Sequence, residues 1–278
     1  RGGKLVTANE TYTADIGIKD GRIATLGEDL DGNDIINADK KLVMPGGIEA
    51  HCHIAQESAN GIMTSDDYET GSISAAFGGN SCFVPFAAQK KGESIASTIA
   101  EYDRRAETKS VIDYSYHLIL TDPNENVMNE LPSAFERGIT SFKVFMTYAT
   151  RVSDAQFLDI LTIARRHGGL TMVHAENHDM LSWMSNALTQ AGYTEPRYHA
   201  PARPSLAEEE AINRAISLSK LANAPLMIVH VSTPKGAELV ARARMDGAFV
   251  FGETCPQYLF LTRDDIDRPN LEGAKYIC

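Results

Sequence analysis

The chain has 278 residues, of which 43% are hydrophobic and 23% charged, an ordinary globular composition that suits one large domain or two smaller ones. Its formal net charge of −11 argues against a nucleic-acid surface, which needs clustered Lys and Arg. No apolar run approaches the ~20 residues of a membrane span, and no signal-peptide pattern opens the chain.

The chain begins at Arg1 rather than Met, which reads as a trimmed start. Four cysteines, Cys52, Cys82, Cys255 and Cys278, make no C-x-x-C pair. A chain of this size does not need disulfide staples, so they read as reduced thiols in the cytoplasm. No His flanks Cys255 in sequence to activate it as a nucleophile.

The first 44 residues read as short strands at Lys4–Val6, Ala14–Ile18, Arg22–Leu26, Asp34–Ile36 and Leu42–Met44. Turn signals at Lys19-Asp-Gly21 and Asp31-Gly-Asn33 separate them. From Ile48 the rhythm changes to strand–helix alternation. Strands are expected at Ile48–Ile54, Ser81–Phe86, Asp113–Leu120, Ser141–Met146, Leu170–His174, Leu226–Val231 and Ala248–Gly252.

Among the helices between them, Glu93–Glu107 opens on an acidic residue. Ser153–His167 has a Ser N-cap and stops at Gly168-Gly169, and Ser205–Leu221 begins with a Ser-Leu-Ala-Glu capping-box pattern. Pro234–Met245 places Pro at a helix start after Thr233. Seven successive β units predict a parallel, helix-wrapped sheet, one unit short of a (β/α)8 barrel, with a doubly wound sheet as the other option. No Gly-x-Gly-x-x-Gly follows a strand, which lowers a nucleotide-binding reading.

The chemistry-bearing residues fall at strand ends. His51 and His53 share one face of an extended segment entered through Gly46 and Gly47. Taken alone, a His-x-His pair is common and more often incidental than a metal site. Lys143 lies inside the fourth strand, flanked by Phe142, Val144 and Phe145. His174 ends the fifth strand and His230 the sixth. In a closed barrel the C-terminal strand ends converge, so four imidazoles would face one pocket.

A buried lysine is pushed towards its neutral form, and a neutral amine reacts with carbon dioxide to give a carbamate, an oxygen ligand able to bridge two metals. The plainer role for such a lysine is an ion pair or snorkelling. His117, His167, His178 and His199 read as core, helix-end, helix-start and loop residues and are not expected to be ligands.

The stretch Pro45-Gly-Gly-Ile-Glu-Ala-His-Cys-His53 resembles the first-strand signature of metal-dependent cyclic amidohydrolases. Phe142–Met146, Val173–Asn177, Val229–Ser232, Glu253–Leu259 and the loop Pro196–Pro204 resemble the dihydropyrimidinase and D-hydantoinase family in particular. The resemblance implies a (β/α)8 barrel, here lacking its eighth strand, over 47–278, and part of a β-sandwich domain over 1–46.

It also implies two divalent metal ions. His51 and His53 would hold one, His174 and His230 the other, and carbamylated Lys143 and a hydroxide would bridge them. Imidazole and oxygen donors suit zinc, with manganese or cobalt as alternatives. Tyr148 matches the family tyrosine that hydrogen-bonds the developing oxyanion. The implied reaction opens a dihydropyrimidine or a 5-substituted hydantoin to an N-carbamoyl amino acid, in a cytoplasmic homotetramer acting on a small cyclic amide.

Two departures stand out. Glu49 replaces the Asp the family usually has two residues before the first His, and the eighth-strand Asp ligand of the family has no counterpart before Cys278. The expectation is therefore of a fragment, poorly stable alone. The alternatives are an allantoinase-like enzyme, or a non-catalytic scaffold related to dihydropyrimidinase, which would have lost metal ligands.

Overall fold

The structure, a computed structural model, describes residues 1–58 and 61–277. Cys278 lies outside the described residues. The first strands β1 (Gly3–Val6), β2 (Thr11–Lys19), β3 (Arg22–Gly27) and β4 (Leu42–Val43) form a sheet of order β3-β2-β1-β4. β1–β2 and β2–β3 are antiparallel, and β4 runs parallel to β1.

Lys19 pairs Arg22, so Asp20-Gly21 is a two-residue hairpin loop. Both loop residues have positive φ, 52° and 71°, as the twist-matched turn requires. The strand expected at Asp34–Ile36 does not form. Its backbone is tied to the chain start instead: the N-terminal amine donates to the Ile36 carbonyl at 2.8 Å, and Ala38 N donates to Arg1 O.

The second sheet is wholly parallel. It contains β5 (Gly47–Cys52), β6 (Asn80–Ala88), β7 (Asp113–Tyr114), β8 (His117–Ile119), β9 (Ser141–Phe145), β10 (Leu170–His174), β11 (Leu226–Ile228) and β12 (Val250–Gly252). The order is β12-β11-β10-β9-β8-β6-β5, with β7 also on β6. The strand expected at Asp113–Leu120 is split in two between Tyr114 and His117, and both pieces pair with β6. Seven sequential strand positions therefore line one curled sheet.

The curl is tight. His51, at one edge of the sheet, reaches to 2.7 Å from Glu253, just past the opposite edge strand. This is an incompletely closed barrel, whose edges β5 and β12 are unpaired among the described residues.

The helices are α1 (Tyr68–Phe77), α2 (Ile95–Ala106), α3 (Glu125–Glu136), α4 (Asp154–Arg166), α5 (His178–Gln190), α6 (His199–Ala202), α7 (Ser205–Ala222), α8 (Pro234–Met245) and α9 (Arg263–Ile266). Ser94, rather than an acidic residue, caps α2. Ser153 and Gln156 make a reciprocal capping box on α4, and Thr233 caps α8 ahead of Pro234. The capping box expected at Ser205 is absent: Pro204 occupies the N-cap of α7 with no side-chain bond. Glu208 is engaged elsewhere, accepting from Ser232 N at 2.8 Å and Ser232 Oγ at 3.0 Å.

Two apolar layers follow from strand alternation. Phe83, Leu118, Phe142, Val144, Val173 and Ile228 face the helices and join the main core. Phe86, Ile119, Met172 and Val229 form a smaller cluster, to which Phe145 packs, on the inner face of the curl. Lys143 pairs in register with Ile119 and Met172, so it belongs to that inner face. Glycine is required where β5 starts. A Cβ on Gly46 would meet Ser81 Oγ at 2.2 Å, and one on Gly47 would meet Asn80 Oδ1 at 2.5 Å.

Candidate functional site

His51 and His53 both turn inward against Phe86, their ring centroids 4.8 and 4.7 Å from it, while Cys52 between them packs towards the main core. His53 Nδ1 lies 2.7 Å from Gln56 Oε1. An amide oxygen only accepts, so Nδ1 carries the proton and Nε2 offers its lone pair. Burial pulls the His53 pKa down to about 4, which keeps the ring neutral.

His51 Nδ1 is buried and lacks a hydrogen-bond partner. The Glu253 carboxylate lies 2.7 Å away but out of alignment, so the contact counts as a close charge and not as a satisfied bond. Glu49 turns back to accept from His51 N at 2.8 Å, fixing the backbone of the His-x-His segment.

His174 and His230 form a second pair, with Nδ1 of one 3.0 Å from Nε2 of the other. Two nitrogens on one tetrahedral zinc would lie about 3.3 Å apart, given Zn–N bonds of about 2.0–2.1 Å. The pair therefore needs little movement to share an ion. Desolvation lowers both histidine pKa values, in His174 against the opposing pull of Glu176.

His230 reaches this position by breaking the strand alternation. Met227 and Val229 face inward, so a regular continuation would turn His230 towards the helices. A left-handed backbone at His230, φ 40°, redirects the ring. Such a conformation costs about 1–2 kcal/mol in a residue with a Cβ. The turn is held by Val231 N donating to Glu253 O and by the Glu208 bonds to Ser232.

Lys143 is 1% exposed. Its ammonium sits 4.9 Å from the centroid of Phe86 and 5.2 Å from that of Phe145. Desolvation lowers its pKa to about 7, against the opposing charge of Glu253. Phe86 is also the ring against which His51 and His53 pack, and Phe145 is a neighbour of His174, which places Lys143 between the two imidazole pairs.

Tyr148 follows β9 with φ 69°, its ring centroid 5.1 Å from that of His174. Partial burial raises its pKa, so the phenol keeps its proton and can donate. All six expected site residues are thus on the inner face or at its rim.

His117, expected to be a core residue or a neighbour of the site, is pinned between Ser141 Oγ at 2.5 Å and Ala50 O at 3.0 Å. His167 ends α4 and stacks on Phe135. Three residues with no role assigned from sequence also border the site: Glu253, Glu176 and Arg203. Glu176 was detectable, since it lies two residues beyond His174 on an extended segment. Arg203 was not, since only the chain path brings it there.

Among the described residues no three His, Cys, Asp or Glu side chains converge as a complete metal shell would. The donors come in imidazole pairs, one of them with an orphaned buried nitrogen, and an oxygen donor between them would complete each. The residues fit a metal on that condition.

Fold and site together define a class, an incompletely closed (β/α) barrel with imidazole pairs and a buried lysine on its inner face. No family model matches the chain. The chain is 43% identical to the D-hydantoinase of Geobacillus stearothermophilus over 282 residues, covering 100% of this chain and 60% of that protein. It is 42% identical to the D-hydantoinase of Ralstonia pickettii over 280 residues, covering 100% and 61%. The structure of dihydropyrimidinase from Brevibacillus agri superposes with a TM-score of 0.93 at 41% identity, over 100% of this chain and 61% of that one. Over the stretch that it spans, the chain is similar throughout to D-hydantoinases and to a dihydropyrimidinase. That stretch is about 60% of the length of these relatives.

Proposed function

We propose that this protein hydrolyses the cyclic amide bond of hydantoins or dihydropyrimidines, releasing an N-carbamoyl amino acid. The observation that carries this reading is Lys143, fully buried on the inner face between two inward-facing imidazole pairs. His51 and His53 would hold one divalent ion and His174 and His230 another, zinc being the best match to nitrogen and oxygen donors. When bound, such ions supply an acidified water as nucleophile and polarise the carbonyl under attack.

The rest is the work of the chain. With its pKa near 7, Lys143 has a substantial neutral fraction at neutral pH. The amine adds to carbon dioxide, an N–C bond forms and one proton leaves. A buried cation thereby becomes the anionic oxygen donor that each histidine pair lacks. His53 is set by Gln56 to present Nε2, and His174 by Glu176 to present Nδ1. Tyr148 donates its phenolic proton to the oxygen that gains charge as the ring carbonyl becomes tetrahedral. The similarity to D-hydantoinases supports a small cyclic amide as substrate, and we extend the proposal to a homotetramer. Among the described residues no helix is long and apolar enough to cross a membrane.

The test is metal content together with hydrolysis of dihydrouracil, hydantoin and allantoin by protein supplied with zinc and bicarbonate. Two bound ions per chain and turnover of either of the first two substrates are expected. Turnover of allantoin alone would move the assignment to an allantoinase-like enzyme. Protein that binds no metal would overturn the reading in favour of a non-catalytic scaffold.

A further inference from the structure

The roles above leave Arg203 unused, although it is the group that ties the tyrosine side of the site to the histidine side. It stands at the joint between α6 and α7, immediately before Pro204. Its guanidinium is paired with Glu176 Oε2, the same oxygen that lies 2.6 Å from His174 Nε2. The guanidinium carbon also sits 5.3 Å from the centre of the Tyr148 ring. The three side chains His174, Glu176 and Arg203 are 14%, 16% and 27% exposed, so this is a partly desolvated chain of contacts and not a surface ion pair.

An ionised carboxylate can only accept, so the proton of neutral His174 is drawn to Nε2 and the lone pair of Nδ1 is left facing His230. Without a fixed cation beside it, Glu176 would be free to swing away, and the ring could take either tautomer. On the other side, Tyr148 holds a left-handed backbone that its neighbours must maintain. The flat cation over its ring closes off one direction of escape.

We propose that Arg203 is a positioning residue that sets two groups at once: the tautomer and direction of His174, through Glu176, and the placement of the Tyr148 ring. The inference rests on the reading above only in taking His174 as a ligand and Tyr148 as the donor to substrate. A lysine replaces it only in part, because a single ammonium lacks the broad planar fork that reaches both the Glu176 carboxylate and Tyr148.

The test uses the complete protein with Arg203→Ala and Arg203→Lys. Nitrogen-15 NMR of the imidazoles in metal-free protein should show His174 protonated at Nε2 in the unaltered protein and a mixture of tautomers in Arg203→Ala. Titration with cobalt should show one ion bound about 10- to 100-fold more weakly in Arg203→Ala and the other unchanged, since partners behind a ligand typically have effects of that size. Added guanidinium ion should restore much of the lost affinity, and Arg203→Lys should be intermediate. An unchanged His174 tautomer with both cobalt ions bound as before would overturn the proposal. If the unaltered protein binds no cobalt, the functional reading fails instead, and the metal-free tautomer measurement still decides the role of Arg203.

Discussion

Lys143 and Tyr148 sit five residues apart around the end of β9, yet they should fail in different ways when altered. Lys143→Ala removes the buried amine found among the imidazole pairs in the described residues, and with it the oxygen donor that a carbamate would provide. Loss of both metal ions and of turnover is expected, with partial rescue by short-chain carboxylic acids that can enter the space left behind. Tyr148→Phe removes one hydroxyl that, in the proposed reaction, would touch the reacting oxygen and not the ions. Turnover should fall by about 10²–10³-fold, the typical loss for one oxyanion donor, with metal content unchanged. Full activity in Lys143→Ala, or metal loss in Tyr148→Phe, would contradict the assigned roles. The burial of Lys143 was legible in the sequence, because an ionisable residue inside an apolar strand is conspicuous, whereas Tyr148 was singled out by the resemblance alone. The geometry of His230 was not. A period-two pattern turns its ring the wrong way, and only the left-handed backbone at that residue corrects it.

At the scale of elements, the sequence speaks through caps where the cap is local and misleads where tertiary partners compete. Ser153 and Thr233 cap the helices they precede, because each bond closes within three residues. Ser205-Leu-Ala-Glu208 has a capping-box pattern and makes no such box, since Ser232 in the β11–α8 connection takes the carboxylate. The split of the third barrel strand was hidden for a related reason, its residues being equally suited to one strand or two.

α1 offers a local test. Asp67 accepts from Glu69 N and Thr70 N at 3.0 Å, Thr70 Oγ1 accepts from Asp67 N in return, and Lys109 lies 3.0 Å from the carboxylate. The Thr70 backbone bond, followed by Lys109, lowers the Asp67 pKa from 3.8 to about 2. A carboxylate whose pKa falls on folding adds stability that is present above the unfolded value and lost as pH drops through the folded one. Asp67→Ala should therefore destabilise the protein by about 1 kcal/mol near neutral pH. In urea titrations the gap between variant and parent should be full above about pH 4 and narrow below it. A gap independent of pH would show that the loss comes from packing and not from the charged cap.

For the whole molecule, the seven-unit rhythm was readable because strands buried on both faces are continuous apolar runs separated by amphipathic helices. The curl of the sheet was not, since closure depends on twist accumulated over all strands and on the small inner layer around Phe86 and Met172. That curl brings His51 close to Glu253 without joining β5 to β12, and two parallel edges are left with free backbone groups among the described residues. Beside β12 lies an open groove of about 750 Å³ lined by Val231, Pro234, Ala237, Val240, Met245 and Leu259. On the small sheet, Ile18, Ile23, Leu26 and Leu42 are exposed as well. Exposed edges and apolar patches of this kind favour association between copies. A polypeptide of these 278 residues alone should therefore elute as a spread of assemblies in light-scattering chromatography and bind a hydrophobic dye before heating. A single sharp peak with one cooperative thermal transition would show that the curled sheet is self-sufficient, and that its edges are protected by twist alone.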